Sequence, residues 1–441
     1  MAHFGVVAPA FYSHYSALGA LAGELVDRGH RVSFVHRPDA AAYVKDPQLG
    51  FHAVGAATHP PGSLAAALER AANPGGPLGL RRVILDMAAG TDMLCRELPR
   101  AIDTLGIDAI IADQMEAAGG LVAESLGLPF VSVACALPVN REPGIPLPVM
   151  PFDYPEGEHE RERAHKIYEG STRVYDWMMT PHRRAIAANA RRLGLPARDG
   201  LHECLSPLVQ VSQTVAAFDF PRRALPPHFH HVGPLRPTGR HAGAAAQQFV
   251  PEVAAGRPFV FASLGTMQGG RLALFKRIAQ ACRALDVQLL VAHCGGLDAR
   301  QEAVLAQAGA TWVCAFADQQ AVLERADVVV SHAGSNTVMD AIAARTPILA
   351  LPIAFDQPGA AARVVHAGLG LKASARFTGS AGLARLLRRL LDEPGFGARL
   401  DALSASLAQA GGTRRAADLI EAALQTGRRP DASTLDMAHL G

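Results

Sequence analysis

Along this chain, short continuous apolar runs alternate with amphipathic stretches, the pattern of strands buried on both faces and separated by helices. In the first half, Phe4 to Ala8, Arg31 to His36, Ala109 to Ala112 and Pro129 to Ala134 are apolar runs of strand length. Ala17 to Arg28 has helical spacing and is stopped by Gly29, and Val122 to Leu126 lies on a further helix. A second set opens at Pro258–Thr266 and continues with Gln288–His293, Thr311–Cys314, Ala326–Ser331 and Pro347–Pro352. Strand and helix alternating twice over predicts two α/β units with parallel sheets. Between them, His230 to Leu235 reads as a short strand with a stop, and Arg236 to Arg257, rich in Pro, Gly and Ala, as a linker. The expected layout is a first domain over 1–235, a linker over 236–257, a second domain over 258–424 and a polar tail over 425–441.

Bulk properties narrow the class of function. A chain of 441 residues is too long for one ordinary core. Its 49% hydrophobic and 19% charged residues fit a folded globular protein. A net charge of +2 gives no electrostatic reason for a nucleic-acid partner. The N-terminus MAHFGVVAPAFYSH lacks a cationic segment, so no secretory signal is expected. The apolar stretch Ala117–Val139 carries Glu124 and is broken at Gly127-Leu128-Pro129, which makes it a helix and a buried strand, not a membrane span. Six scattered cysteines without a CxxC pair read as reduced, mostly buried thiols of a cytoplasmic protein.

The densest chemistry lies between Phe316 and Ala361. A strand there runs into His332-Ala333-Gly334-Ser335-Asn336-Thr337, and a helix-like pattern follows at once. Small residues at a strand-to-helix turn let backbone N–H groups close on an anion, with the positive end of the new helix aimed at it. The next strand ends in Phe355-Asp356-Gln357, a carboxylate beside an amide, which suits neighbouring sugar hydroxyls. Ser263-Leu264-Gly265-Thr266 repeats the anion-binding logic more weakly. In the first half, Pro9-Ala10-Phe11-Tyr12-Ser13-His14 occupies the place of a GxGxxG turn, and its proline and aromatics disfavour a dinucleotide cofactor. His14 and Asp113 both follow or close strands, where ligands sit in open α/β sheets, and a histidine oriented by a carboxylate is a general base near neutral pH. There is no DxD, HExxH or GxSxG motif, and His159, Glu160 and His165 are spaced off one helical face, so no metal site is expected. The proline-rich loop Leu137–Tyr154 and the segment Tyr175–Met179 have the Pro, Met and aromatic content of an apolar ligand site, although core packing explains the same composition.

These motifs together resemble the inverting UDP-sugar-dependent glycosyltransferases of the GT-B fold, over nearly the whole chain. The segment from Phe316-Ala317-Asp318-Gln319 to Gln357 resembles their donor signature. The runs HFGVVAPAFYSHYSAL, TDMLCRELP and DQMEAAGGLVAESLGLPFVSVACALPVNREP resemble the carotenoid-glucosylating branch of the family. The resemblance implies two Rossmann-like domains whose parallel sheets face each other across a cleft. His14 is implied as catalytic base and Asp113 as the carboxylate orienting it. Ser263 and Thr266 would meet phosphate and nucleotide, Phe316 would stack on uracil and Ala317 would contact it through backbone. Gln319 and Asp340 would lie near the ribose. His332, Gly334, Ser335, Asn336 and Thr337 would hold the diphosphate, and Asp356 and Gln357 the glucose hydroxyls. The family pattern has tryptophan at 316 and 335, proline at 318 and glutamate at 340. The implied donor substrate is UDP-glucose, with no metal or other cofactor. The implied acceptor is a carotenoid alcohol, met with at most loose contact at the inner face of a membrane. A macrolide, flavonoid or similar bulky aglycone stays open as acceptor, as does a non-catalytic sugar-nucleotide-binding role.

Overall fold

The computed structural model describes residues 1–239 and 248–426. Part of the expected linker, 240–247, and the tail from 427 onward lie outside the described residues.

Two all-parallel sheets organise the chain. The first contains β1 (His3–Val7), β2 (Arg31–His36), β3 (Gly50–Ala53), β4 (Ala109–Asp113), β5 (Phe130–Ala134), β6 (Val209–Ser212) and β7 (Phe229–His231). The second contains β8 (Phe259–Ser263), β9 (Gln288–Ala292), β10 (Trp312–Cys314), β11 (Val328–Ser331), β12 (Ile348–Ala350) and β13 (Gly370–Lys372). Spatial order is β3-β2-β1-β4-β5-β6-β7 in one and β10-β9-β8-β11-β12-β13 in the other. Each sheet therefore reverses winding direction once, at β1/β4 and at β8/β11. Crevices open beyond the carboxyl ends of strands at such reversals.

Helices cover both faces. In the first half they are α1 (Tyr12–Asp27), α2 (Ser63–Ala72), α3 (Pro77–Leu105), α4 (Ala117–Ser125), α5 (Glu158–Met178) and α6 (Thr180–Arg192). The second half has α7 (Gly265–Gln268), α8 (Leu272–Ala284), α9 (Ala299–Ala308), α10 (Gln319–Leu323), α11 (Ser335–Ala344), α12 (Gln357–His366), α13 (Ser380–Asp392), α14 (Gly395–Gln409) and α15 (Gly412–Thr426).

Helix α1 starts at Tyr12, before the apolar spacing that signals it. The polar turn Tyr12-Ser13-His14 is helical because Tyr15 is buried, stacked on Phe34 with ring centroids 5.0 Å apart. That places His14 in the first turn above β1. The last helix departs from the expected boundary at 424. Ala416, Ala417, Leu419, Ile420 and Ala423 of α15 join the buried cluster of Phe4, Leu21, Leu25 and Val209 in the first half. Arg28 fastens it there, bonding Asp418 at 2.6 Å and Glu421 at 2.7 Å. An amphipathic pattern announces a buried face but not which core receives it.

The two halves are clasped at a buried ionic knot. Asp219, following β6, accepts from Arg363 of α12 at 2.6 Å and from Arg222 at 3.0 Å. The Arg363 side chain is fully buried, its guanidinium 4.2 Å from the centroid of the Phe220 ring. Beside it the Gly359 N–H donates to the Pro148 carbonyl at 2.9 Å. A Cβ on Gly359 would lie 2.2 Å from that oxygen, so only glycine lets the proline-rich loop approach α12 so closely.

Candidate active site

The first half contributes a histidine–carboxylate pair at its strand-order reversal. Asp113 ends β4, and β4 pairs with β1, whose following helix carries His14. Asp113 Oδ2 lies 2.7 Å from His14 Nδ1, while its Oδ1 accepts from the Met115 N–H at 2.8 Å. The carboxylate is buried and the imidazole keeps a 12% exposed edge. Burial pulls the His14 pKa down, but the charge and hydrogen bond of Asp113, helped by Asp356 across the cleft, outweigh it and leave the pKa above its ordinary value. Cys135 lies close by, and His14, Asp113 and Cys135 present ligand atoms within 4.8 Å of one another. Burial, reinforced by Asp113, raises the Cys135 pKa well above the usual thiol value. With the thiol held neutral, the imidazole is the one of the three groups suited to take up a proton near neutral pH.

The second half contributes an open helix N-terminus at its own reversal point. Strand β11 ends at Ser331, and the turn Ala333-Gly334 leads into α11 with no side chain capping its first N–H groups. Ala333 is left-handed at φ 65°, and Gly265 opposite it at φ 71°. A Cβ on Gly265 would meet His332 Cε1 at 2.8 Å, and one on Gly334 would meet His332 Nε2 at 2.5 Å. Both glycines are thus small because the His332 ring packs between the two turns. Burial pushes the His332 pKa down to about 4, so the ring is a neutral donor near pH 7. Ser263 is buried at the end of β8, whereas Thr266, in the short α7, is exposed.

Behind this turn lies a polar chain. Thr337 Oγ1 donates to Gln319 Oε1 at 3.1 Å, and Gln319 Nε2 donates to Asp340 Oδ2 at 2.6 Å. Asp318, where the family pattern has proline, caps α10 by accepting from the Ala321 N–H at 3.1 Å. Ala317 bridges Phe249 through backbone, and Phe316 projects with 53% of its surface exposed, near Gly295. Gln357 is buried, and its Oε1 accepts from the Ile353 and Ala354 N–H groups, leaving its NH₂ as the available donor.

The halves meet at these two turns. Asn336 Nδ2 donates to the Ser13 carbonyl at 3.3 Å, one residue from His14. Asp356 Oδ2 accepts from the Leu137 N–H at 3.1 Å and from the Ser335 hydroxyl at 3.3 Å. Phe11 stands between His14 and Phe355, its ring centroid 5.7 Å from one and 5.9 Å from the other. The His14–Asp113 pair, the uncapped start of α11 and the Asp356–Gln357 pair therefore share one cleft.

Comparison with known proteins bears on this cleft directly. Residues 199–406 match the family described as UDP-glucoronosyl and UDP-glucosyl transferase. The zeaxanthin glucosyltransferase of Pantoea ananas is 51% identical over 428 residues, 97% of this chain and 97% of that one. The chain belongs to this glycosyltransferase family. The zeaxanthin glucosyltransferase of Pseudescherichia vulneris is 47% identical over 96% of this chain and 98% of its own. Among solved structures, the glycotransferase of kitacinnamycin aligns with TM-score 0.73 at 23% identity, covering 95% of this chain and 98% of that one. The calicheamicin glycosyltransferase aligns at 0.69 and 19% identity, over 97% and 99%. The fold is GT-B, and the protein is a glycosyltransferase enzyme.

One residue of the expected linker stands out. Arg236 reaches into the second half, its Nη2 2.7 Å from Asp340 Oδ1 and 3.1 Å from the Asn336 carbonyl. Its own backbone is pinned to Thr413 Oγ1 through both N–H and carbonyl, at 2.8 and 2.7 Å. A lone arginine after HVGPL offers no periodic signal, so sequence pattern could not find it. The proline-rich loop, expected either at an apolar ligand site or in core packing, also makes contacts between the halves. Pro148 abuts α12, and Lys372 pairs with Asp153, so part of the loop serves as interdomain contact. Trp177, in the segment expected beside the acceptor, is 76% exposed.

The stacking of Phe316 on uracil, which the resemblance implies, can be probed directly. With tryptophan at this exposed position, the larger π face should lower KM for UDP-glucose about 2- to 5-fold at nearly unchanged kcat, by the stacking energies typical of aromatic pairs. Steady-state kinetics on Phe316→Trp checks this, and an unchanged or higher KM would dissociate residue 316 from the base.

Proposed function

We propose that this protein transfers glucose from UDP-glucose to the hydroxyl groups of zeaxanthin, giving the mono- and then the diglucoside with inversion at the anomeric carbon. The observation that carries the chemistry is the 2.7 Å His14–Asp113 pair facing the uncapped start of α11 across one cleft. Identity of 51% over 97% of the chain to a zeaxanthin glucosyltransferase supports donor and acceptor.

With Nδ1 committed to Asp113, His14 Nε2 is the nitrogen left to accept the acceptor's proton. The hydroxyl oxygen attacks the anomeric carbon from the face opposite the diphosphate, and the carbon–oxygen bond to the β-phosphate breaks. The proton ends on His14, where Asp113 stabilises the imidazolium, and the negative charge leaves with UDP. Neutral His332, Asn336 and the α11 backbone N–H groups, that of Thr337 among them, meet that charge with fixed dipoles, which cost no reorganisation during the reaction. Asp356 and Gln357 orient the glucose, while Gln319 and Asp340, held by Arg236, face the ribose. Because a carotenoid dissolves in the bilayer, the reading includes peripheral contact of a cytoplasmic protein with the membrane surface. Among the described residues, no helix is long and apolar enough to cross a membrane.

Purified protein incubated with UDP-glucose and zeaxanthin in detergent micelles should give mono- and diglucosides, and none from β-carotene, which lacks hydroxyls. UDP release without glucosylated zeaxanthin would overturn the acceptor. The dyad has its own signature in pH. The neutral imidazole is the active base, so activity rises with pH through the His14 pKa, which Asp113 holds up. In Asp113→Asn that support is lost, burial dominates, and the acidic limb of kcat moves to lower pH while the plateau falls by about 10- to 1,000-fold. An unmoved limb would mean that another group controls the profile.

A further inference from the structure

The first half holds a second charged cavity, which glucosyl transfer leaves without a role. It measures about 390 Å³ and is lined by Arg37, Thr58, His59, Ser63, Arg70 and Arg96, with Asp86 and Asp92 among the remaining walls. Two of its cations are already matched: Arg70 pairs with Asp86 at 2.8 Å and Arg96 with Asp92 at 2.8 Å. Arg37 is different. It follows β2, is only 7% exposed, and its Nε is buried without a hydrogen-bond partner.

The carboxylates nearest to Arg37 are committed elsewhere. Asp39 accepts from the Gly62 and Leu64 N–H groups at 2.9 and 3.0 Å, where α2 begins. Asp86 serves Arg70. Buried Glu116 accepts from Thr91 Oγ1 at 2.8 Å and the Ala118 N–H at 3.0 Å. The ring of His36 is bonded to the Arg37 backbone and carries no charge, burial having pushed its pKa down to about 3. These carboxylates attract Arg37 but none hydrogen-bonds it, and burial still disfavours its charged form, whereas natural interiors pair such groups directly. Ser63 Oγ, which also lines the cavity, is likewise buried and unpartnered. Two independent polar atoms, one cationic and one a hydroxyl, thus lack partners at one cavity.

We propose that this cavity binds a phosphate-type oxyanion, with Arg37 as its charge partner and Ser63 as a hydrogen-bond donor. A planar guanidinium and a hydroxyl donor suit the oxygens of a phosphate monoester or diester. The volume exceeds that of a bare ion and leaves room for an esterified group. Helix α3, which lends Asp86, Asp92 and Arg96 to the walls, exposes Leu78, Leu80 and Leu85 beside Arg81 and Arg82 in its opening turns. Exposed leucines among arginines suit the surface of an anionic bilayer. A lipid headgroup and free phosphate are therefore the two sources of one chemistry.

The test needs no sugar transfer, so its result is separable from that of the proposed reaction. Inorganic phosphate should raise the Tm of the full-length protein by about 2–4 °C beyond potassium chloride of equal ionic strength, as a ligand that binds only the folded state does. Arg37→Met should abolish the response while keeping or raising the Tm in chloride, since it removes a buried charge that has no hydrogen-bonded partner at Nε. Ser63→Asp, which adds a carboxylate to the cavity lining, should also abolish it and guards against a folding defect at position 37. Sedimentation with phosphatidylglycerol vesicles, with phosphatidylcholine vesicles as control, distinguishes the sources. Arg37-dependent retention on phosphatidylglycerol alone supports the headgroup, and a phosphate response without such retention supports the free ion. An equal Tm rise in the wild type and Arg37→Met, or no rise together with no Arg37-dependent retention, overturns the site.

Discussion

His14→Ala should lower kcat by about 10²- to 10⁴-fold, the usual worth of a positioned general base, while KM for UDP-glucose stays within about 2-fold, by the rule that a transition-state-only group leaves ground-state binding alone. The separation follows from geometry. His14 stands over the first sheet, whereas the residues assigned to the nucleotide sugar stand on the second. The histidine is placed by Asp113 and by Phe11, and in the proposed reaction it takes the acceptor's proton. Deleting the ring removes a hydrogen bond to a buried carboxylate, which stays supported by the Met115 N–H, so the fold should survive with a modest loss in Tm. Retained near-full turnover would transfer the base role to another group, and the first alternative in reach would be a water held by Asp113.

Asp219→Ala should be the most destabilising single change outside the cleft, costing about 3–5 kcal/mol, as breaking a buried ion pair does. The asymmetry within the knot decides which partner matters most. Removing Arg363 leaves Asp219 paired with Arg222. Removing Asp219 strands two buried guanidinium groups together, those of Arg363 and Arg222, whose side chains are 0% and 3% exposed. Burial alone would raise the Asp219 pKa, but the two arginines outweigh it and hold it below the usual carboxylate value. A depressed folded-state pKa means that this stability is complete above the unfolded-state pKa and is lost as pH falls through the folded one. Chemical denaturation should therefore show a midpoint lowered in Asp219→Ala at neutral pH, with the gap to the wild type closing in acid. The proline-rich loop and α12 meet beside this knot, so the variant should also weaken catalysis by loosening the cleft. A midpoint equal to wild type at pH 7 would contradict the reading of Asp219 as the counter-charge of the clasp.

What the sequence made legible, and what it did not, divides along physical lines. Strands buried on both faces gave themselves away as unbroken apolar runs, and β1, β2, β4, β5, β9 and β11 lie within a residue or two of where those runs place them. Short strands did not. Residues Val209–Ser212 form a buried strand, yet Gln210 interrupts its apolar run because its amide bonds the Ser206 carbonyl inside the core. Gly50–Ala53 and Gly370–Lys372 are edge strands with few apolar positions to read. The cleft was legible where function sits on local sequence: His332 to Thr337 and Asp356-Gln357 are contiguous, and His14 and Asp113 each mark a strand end. Arg236 was not legible, because its role depends on a linker returning to α11. The swing of α15 onto the first core and the seating of Pro148 on α12 are likewise long-range packing choices, which periodicity does not encode.

The most direct test of the central claim is the anomeric configuration of the sugar in the product. Proton coupling at the anomeric position of the glucoside formed from UDP-α-glucose reports it without reference to any variant. The account predicts the β-glucoside, since one displacement opposite the diphosphate inverts the centre. An α-glucoside would contradict it, and with it the role assigned to His14 and Asp113.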